Sequence, residues 1–381
     1  MILELRLKNF YSLRDEQVLD MQAADIKSAA ARALAGNVIH IGDESALKSV
    51  AVFGANASGK SSVIKAIRAA VEMIRESHNY NEDTRFCFEP FKLGGQKDAS
   101  EFGVRLVMDG IEYEYSFAMT QTEILTESLY YYPNGRRSMI FDRDERRGDE
   151  KGEIYQFKSV IPRPMDVALN TSRKTLYLSR ASQMDRELMK RLFRYFSEEI
   201  VIDGGQFSMH DTRWVDEVIS KRENLLNVLQ TADSDIVDIR VENGRLMTVH
   251  RANEHVLFDL EREESEGTKR LLRMALRLND VLSNGKLMLI DEIDTSLHTK
   301  LVEYLVDLFH KSEAGQLIYT THNTHLLNMK RIRKDQVYFV NKGQDGASEL
   351  YSVFDFKDYR DTMDMENAYL QGRFDAVPYI G

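Results

Sequence analysis

Val52-Phe53-Gly54-Ala55-Asn56-Ala57-Ser58-Gly59-Lys60-Ser61-Ser62 decides how this chain is read. The stretch carries the spacing G-x-x-x-x-G-K-[ST] and stands between an apolar, β-branched run beginning at Ser49 and a segment of helical period. Glycines at 54 and 59 let the backbone curl without a Cβ penalty, so successive amides turn inward. That arc, continued by the positive end of a helix beginning near Gly59, offers a site for a polyphosphate. Gly54, Asn56, Ala57, Ser58, Gly59 and Ser62 would form the cradle. Lys60 would reach the β- and γ-phosphates, and the Ser61 hydroxyl would hold Mg²⁺.

Working outward, 381 residues with 43% hydrophobic and 29% charged side chains suit one large core plus a sizeable insertion. No apolar run reaches the ~18 residues of a membrane span, and the N-terminus lacks the layout of a secretory signal, so a cytoplasmic protein without membrane contact is expected. The single cysteine, Cys87, excludes an internal disulfide framework; between Phe86 and Phe88 it reads as a small buried residue. A formal net charge of −10 argues against a protein that coats nucleic acid through global electrostatics. Nucleic acid remains a candidate partner at two local clusters. One is Arg136-Arg137 with Arg143, Arg146 and Arg147; the other is Lys330-Arg331-Ile332-Arg333-Lys334.

The start, Leu3-Glu4-Leu5-Arg6-Leu7-Lys8, alternates apolar and charged residues as a half-exposed strand does. A helix is expected over 59–76. The alternating stretches 101–108 and 111–119 meet at Asp109-Gly110, which suits a type I′ hairpin turn. From 122 to 259 the pattern is mixed, with strand-like pieces around Tyr130 and Tyr155 and helical period over 186–199 and 214–230. It is too short and too poor in heptads for a long coiled-coil arm. The expected organisation is therefore a head formed by 1–121 and 260–381, interrupted by an inserted α+β or helical lobe at 122–259 that docks a partner or nucleic acid.

In Leu287-Met288-Leu289-Ile290-Asp291-Glu292 four apolar residues end in two carboxylates, as when a buried strand delivers acids to the C-terminal edge of a parallel sheet. Asp291 would support the Mg²⁺ that Ser61 also touches, and Glu292 would be the base that orients the attacking water. The next strand, Leu317-Ile318-Tyr319-Thr320, leads to Thr321-His322-Asn323, where His322 can meet the γ-phosphate. His325 follows three residues on, but the sequence offers no third ligand for zinc.

These pieces, in this order, resemble the ABC-type ATPases of the SMC and OLD groups. Gly54 to Ser61 is similar to their G-x-N-[GA]-x-G-K-S loop, Asp291-Glu292 to their Walker B pair, Ser296-Leu297-His298 to their D-loop, and His322 to their switch histidine. Ser265-Glu266-Gly267-Thr268 resembles their signature motif, whose serine and helix N-terminus complete the site of the opposite subunit. More narrowly, Leu7-Lys8-Asn9-Phe10, Pro90-Phe91-Lys92-Leu93, Thr320-Thr321-His322-Asn323, Val337-Tyr338-Phe339-Val340 and the stretch from Tyr369 to Pro378 resemble RloA- and AbiL-type prokaryotic AAA ATPases of phage defence.

The resemblance implies an α/β P-loop fold with an ABC-type head, a mixed sheet flanked by helices. It further implies ATP and Mg²⁺ as cofactors, catalysis by Glu292, His322 and Lys60, and contacts from Ser265 and Gly267 to ATP held by a second copy. Two positions depart from the pattern. Glu266 brings a carboxylate where a small residue is usual, and the Q-loop glutamine is not evident; Gln96, Glu89 and Lys92 are the nearest candidates.

Three functions follow. The first is an ATP-gated homodimer or higher oligomer that controls a separate effector, a nuclease or toxin, in antiphage defence. The second is an OLD-like nuclease-associated ATPase, for which about 60 residues after His322 are too few to add a nuclease domain; Asp355, Asp358, Asp361 and Asp364 also lack a strand to present them. The third is a DNA-repair or SMC-like DNA-processing ATPase, against which the missing long arm counts.

Overall fold

The computed structural model describes residues 1–381 apart from 88, 95–97, 150–151, 204–211, 232–234, 357–362 and 378–381. Alternation within the buried strands sets its layers. Ser49–Phe53, Leu287–Ile290 and Gln316–Thr320 are buried at every position, which requires cover on both faces. They lie in a six-stranded sheet of order Ile200–Ile202, Leu287–Ile290, Gln316–Thr320, Ser49–Phe53, Val337–Lys342, Ser348–Ser352. Neighbours are parallel except for the last pair. Val50, Val52, Leu289 and Ile318 face the helix Lys60–Glu76, while Ala51, Phe53, Met288 and Tyr319 face the helices Glu266–Asn284 and Thr299–Lys311.

The helix Lys60–Glu76 is apolar on more than one face, with Val63, Ile64, Ile67, Val71 and Ile74 among its buried residues. A second sheet covers its other side. This sheet is antiparallel and seven-stranded, of order Tyr155–Phe157, Ser138–Asp144, Ile124–Tyr131, Ile111–Met119, Ser100–Met108, Ile2–Lys8, Gln17–Asp20. Its hairpin turn has Asp109 at φ 52° and Gly110 at φ 74°, the two left-handed residues of type I′. The buried Gln316 side chain ties the sheets together. Its Oε1 accepts from Ile2 N at 2.7 Å, and its Nε2 donates to Ile2 O at 2.9 Å.

The boundary expected at residue 122 cuts through this second sheet, because Ile124–Tyr131 pairs directly with Ile111–Met119. Residues from Ile124 to Ile200 contribute to the core between the two main sheets. The unit that stands apart is smaller: helices Thr212–Ser220 and Arg222–Thr231 with the strands Ile236–Glu242, Arg245–His250 and Leu257–Asp259. It packs through Val218, Leu225 and Ile239 in the same core as the helix Glu266–Asn284. Period-2 alternation identifies a strand but not the sheet it joins.

Cys87 is exposed rather than buried. Phe86 turns inward against the Tyr80 ring, and the next residue faces outward. The arginines of both basic clusters are largely held in ion pairs. Arg143 is fully buried, 2.6 Å from Glu145 and 3.7 Å from Glu127, while Arg137, Arg146 and Arg147 pair with Glu114, Asp144 and Asp142. In the second cluster Arg331 pairs with Asp307 and Arg333 with Asp335. Among the described residues no helix is long and apolar enough to cross a membrane.

Candidate nucleotide site

Three parallel strands end at one edge and deliver the expected residues together. Ser49–Phe53 runs into Gly54, Leu287–Ile290 into Asp291, and Gln316–Thr320, lying between them, into Thr321 and His322. That edge, at the C-terminal ends of parallel strands, is where α/β sheets bind ligands.

The phosphate loop is held by contacts no local motif announces. Ser348 Oγ lies 2.5 Å from Ser58 O and 2.8 Å from Ser12 Oγ, and Ser12 Oγ donates to Ser62 Oγ at 2.9 Å. Gly59 sits at φ 116°, and a Cβ there would strike Ser348 Oγ and come within 2.7 Å of Ser12 Oγ. The helix Lys60–Glu76 therefore begins with no side-chain cap, leaving its first amides for an anion. Lys60 Nζ donates to Gly54 O at 2.9 Å and Ala55 O at 2.8 Å. Burial pushes its ammonium from the usual 10.5 down to about 8. Ser58 Oγ is buried without a partner. An uncapped helix start, a desolvated ammonium and an orphaned hydroxyl in one loop fit a polyphosphate.

Opposite the loop, Ser61 Oγ donates to Asp291 Oδ1 at 3.1 Å and Thr320 Oγ1 donates to the same oxygen at 2.6 Å. These are hard oxygen donors, of the kind Mg²⁺ takes beside substrate phosphates. Thr320 Oγ1 also accepts Glu292 N–H at 2.7 Å. Glu292 itself sits in the left-handed region at φ 50° with its side chain exposed. Thr321 Oγ1 donates to Asp294 Oδ1 at 2.6 Å, so the pair Thr320-Thr321 fastens the whole acidic turn to the neighbouring strand. Burial, then the nearby Lys60 ammonium, lowers the His322 imidazole below its usual value. At neutral pH it has one donor and one acceptor nitrogen. His325 pairs instead with Glu366, 3.1 Å away.

Ser265 caps the helix Glu266–Asn284, its Oγ accepting from Thr268 N at 3.0 Å. Gly267 packs so closely on the turn at Ser296, the position of the expected D-loop, that a Cβ would lie 2.5 Å from Ser296 O. The Glu266 carboxylate turns to Lys269, 2.8 Å away, which deals with the charge that set this position apart. Sequence reasoning missed Arg270, whose Nη2 donates to Asp291 O at 3.1 Å and Glu292 O at 2.6 Å. A basic residue three to five positions after a helix-capping serine is too common a pattern to have marked it.

Of the Q-loop candidates, Gln96 lies outside the described residues, and Glu89 and Lys92 pair with each other at 3.0 Å. The strand beside Leu287–Ile290 is Ile200–Ile202, and the sequence continues Asp203-Gly204-Gly205-Gln206. Residues 204–211 are outside the described residues.

No curated protein sequence matches this chain. Among solved structures, the chain is similar to an SMC head domain from Thermotoga maritima, with 15% identity, 92% of this chain and 98% of that one covered, and a TM-score of 0.41. It is also similar to an SMC head bound to the C-winged helix domain of ScpA, with 15% identity, 92% and 97% coverage and a TM-score of 0.46. The family model described as "AAA domain, putative AbiEii toxin, Type IV TA system" matches residues 49–328, a span that holds the phosphate loop, Asp291-Glu292 and His322. The chain belongs to this AAA family and is a P-loop ATPase.

Proposed function

We propose that the protein is an ATP-gated switch that dimerises around Mg²⁺-ATP and controls a separate effector, a nuclease or toxin, in antiphage defence. The observation that carries this reading is the joined surface of Ser265, Gly267 and Ser296. The capped helix start and the D-loop pack on each other, and Ser265, Glu266, Thr295 and Ser296 are exposed. Such a surface suits contact with ATP held by another protomer. In the proposed site Ser61 and Asp291 hold Mg²⁺, Lys60 and the loop amides hold the phosphates, Glu292 orients water, and neutral His322 senses the γ-phosphate. The family's description, which names a toxin of a toxin–antitoxin system, supports the defence role. The unit from Thr212 to Asp259 is the proposed effector dock, since it packs on the helix that Ser265 caps.

Light scattering tests the switch. Glu292→Gln with ATP and Mg²⁺ is expected to double in mass relative to the nucleotide-free form, and adding Ser265→Arg is expected to return it to a monomer. A mass that ignores both ATP and the arginine would remove the sandwich while leaving the ATPase.

A further inference from the structure

The arginines of the two basic clusters visible in the sequence are largely held in internal ion pairs, but most of a third set of cations that sequence spacing does not reveal is not; within that set Arg277 pairs with Glu217. A groove of about 890 Å³ runs between the helices Lys60–Glu76 and Glu266–Asn284 and ends at Asp291. Lys65, Arg68 and Arg75 line one side; Arg270, Arg273 and Arg277 line the other. Arg68 donates to Asp203 O at 2.7 Å, Arg75 to Phe196 O and Ile200 O, and Arg270 to the carbonyls of Asp291 and Glu292. These partners are neutral, so they orient the guanidinium groups without cancelling their charge. Lys65 and Arg273 form no ion pair within 4 Å among the described residues, and Arg273 meets the Glu266 carboxylate only at longer range. Three buried polar atoms in the same groove, Arg68 Nε, Arg270 Nε and Ser197 Oγ, have no hydrogen-bond partner. In a chain of net charge −10, a groove whose cations outnumber its carboxylates Glu198, Asp203, Asp280 and Asp291, with arginines held by carbonyls and orphaned donors beside them, indicates an anionic ligand.

We infer that this groove binds a single strand of nucleic acid by its phosphates, and that Arg270 transmits the binding to the catalytic turn. Guanidinium groups predominate, and their planar forks match phosphate oxygens better than ammonium groups do. The cations extend over ~15 Å from Lys65 to Arg75 at 1.5 Å per helical residue, the length of about four stacked nucleotides. The concavity has the size of a ligand pocket and admits a strand, not a duplex. Among the described residues no aromatic side chain lines it, so bases are not stacked and sequence is not read; contact with phosphates alone positions without specifying. Arg270 is the link. One guanidinium reaches both the groove and the main chain of Asp291 and Glu292, so a phosphate drawing on it shifts the turn that carries the proposed base. Arg270 is a positioning residue in this scheme, and the binding half of the inference does not depend on the effector reading above.

The test uses fluorescein-labelled oligodeoxythymidine of about 20 nucleotides, read by anisotropy over a salt series. The double variant Lys65→Glu, Arg273→Glu is expected to bind about tenfold or more weakly, with a log–log salt slope shallower by about 0.7 for each cation lost. Its affinity for a fluorescent ATP analogue should be unchanged, which shows that the phosphate loop is intact. The neutral Arg273→Gln variant provides a milder step in the same direction. In the unmodified protein the oligonucleotide should accelerate ATP hydrolysis. Arg270→Lys should keep the binding and lose the acceleration, a split that a purely structural role would not produce. Unchanged affinity and slope in both groove variants would overturn the site. So would tighter binding of a duplex of equal length, or displacement of the oligonucleotide by a glutamate-rich peptide at equal charge, which would mark the groove as a dock for an acidic protein segment. Acceleration that survives Arg270→Lys would overturn the link.

Discussion

Two helix starts in this molecule use glycine, and they use it in opposite ways. The helix Lys60–Glu76 begins at Gly59 with no side-chain cap, because the missing Cβ lets the hydroxyls of Ser348 and Ser12 close on the backbone. Its first amides are left for a ligand. The helix Glu266–Asn284 is capped by its own Ser265, and Gly267 instead brings the helix onto the carbonyl of Ser296. The first start is open and lies inside the chain, above a buried lysine; the second is satisfied and exposed. An uncapped start binds an anion within one chain, while a capped and exposed one is built as a surface.

The largest expected effect falls where the two meet, at the turn fastened by Thr320. Glu292→Gln preserves size and removes the proposed base, so ATP hydrolysis should fall by about a hundredfold or more with ATP still bound. A steady-state phosphate-release assay beside equilibrium nucleotide binding measures both halves; loss of binding would show that Glu292 belongs to the open start and not to the chemistry. Next, Lys60→Ala removes a charge-assisted contact and should cost about 1.5 to 3 kcal/mol of ATP affinity by calorimetry. Unchanged affinity would mean that the uncapped amides alone hold the phosphates.

The pH dependence sharpens the same point. Burial holds Lys60 at about 8 in the folded protein against 10.5 for the free side chain. Below about pH 8 the ammonium is charged in both the folded and unfolded states, and the cost of burying it is carried in full. Between 8 and 10.5 the unfolded chain binds more proton than the folded one, so the nucleotide-free protein gains stability as pH rises through that window. ATP favours the charged form, so its binding takes up a proton there and its affinity should fall by up to about tenfold per pH unit above 8. The same titration on Lys60→Ala should lose this dependence. At the second start, Gly267→Ala forces a Cβ against the Ser296 carbonyl and should destabilise the fold by about 1 to 3 kcal/mol in denaturant titration. Ser265→Ala removes only the cap, for about 1 kcal/mol. If Ser265→Ala proved the costlier of the two, the close packing on the D-loop would not be what positions that surface.

These contrasts also explain what the sequence made legible. The phosphate loop, Asp291-Glu292 and Thr320 to Asn323 could be read because each lies at the end of an apolar run, and strand ends are a local signal. The Asp109-Gly110 turn was readable for the same reason. Ser12 and Ser348 as fasteners of the loop, and Gln316 as the tie between sheets, depend on partners more than 300 residues away, which no window of sequence contains. Basic clusters misled because a run of arginines in sequence need not be a run of free charge in space: Arg143 and Arg333 lie inside ion pairs, while Lys65 and Arg273, more than 200 residues apart and unremarkable alone, line one groove.

The serine contacts at Gly59 have a consequence during synthesis. Ser12 leaves the ribosome early, whereas its partner Ser348 is 336 residues further along the chain. At ~5–20 residues per second the interval is on the order of tens of seconds. Until it ends, Gly59 has no hydroxyl from the far strand to close on, and the phosphate loop lacks one wall. The loop is therefore closed on that side only once Ser348 has been made, and a product ending before Ser348 is expected to bind nucleotide more weakly.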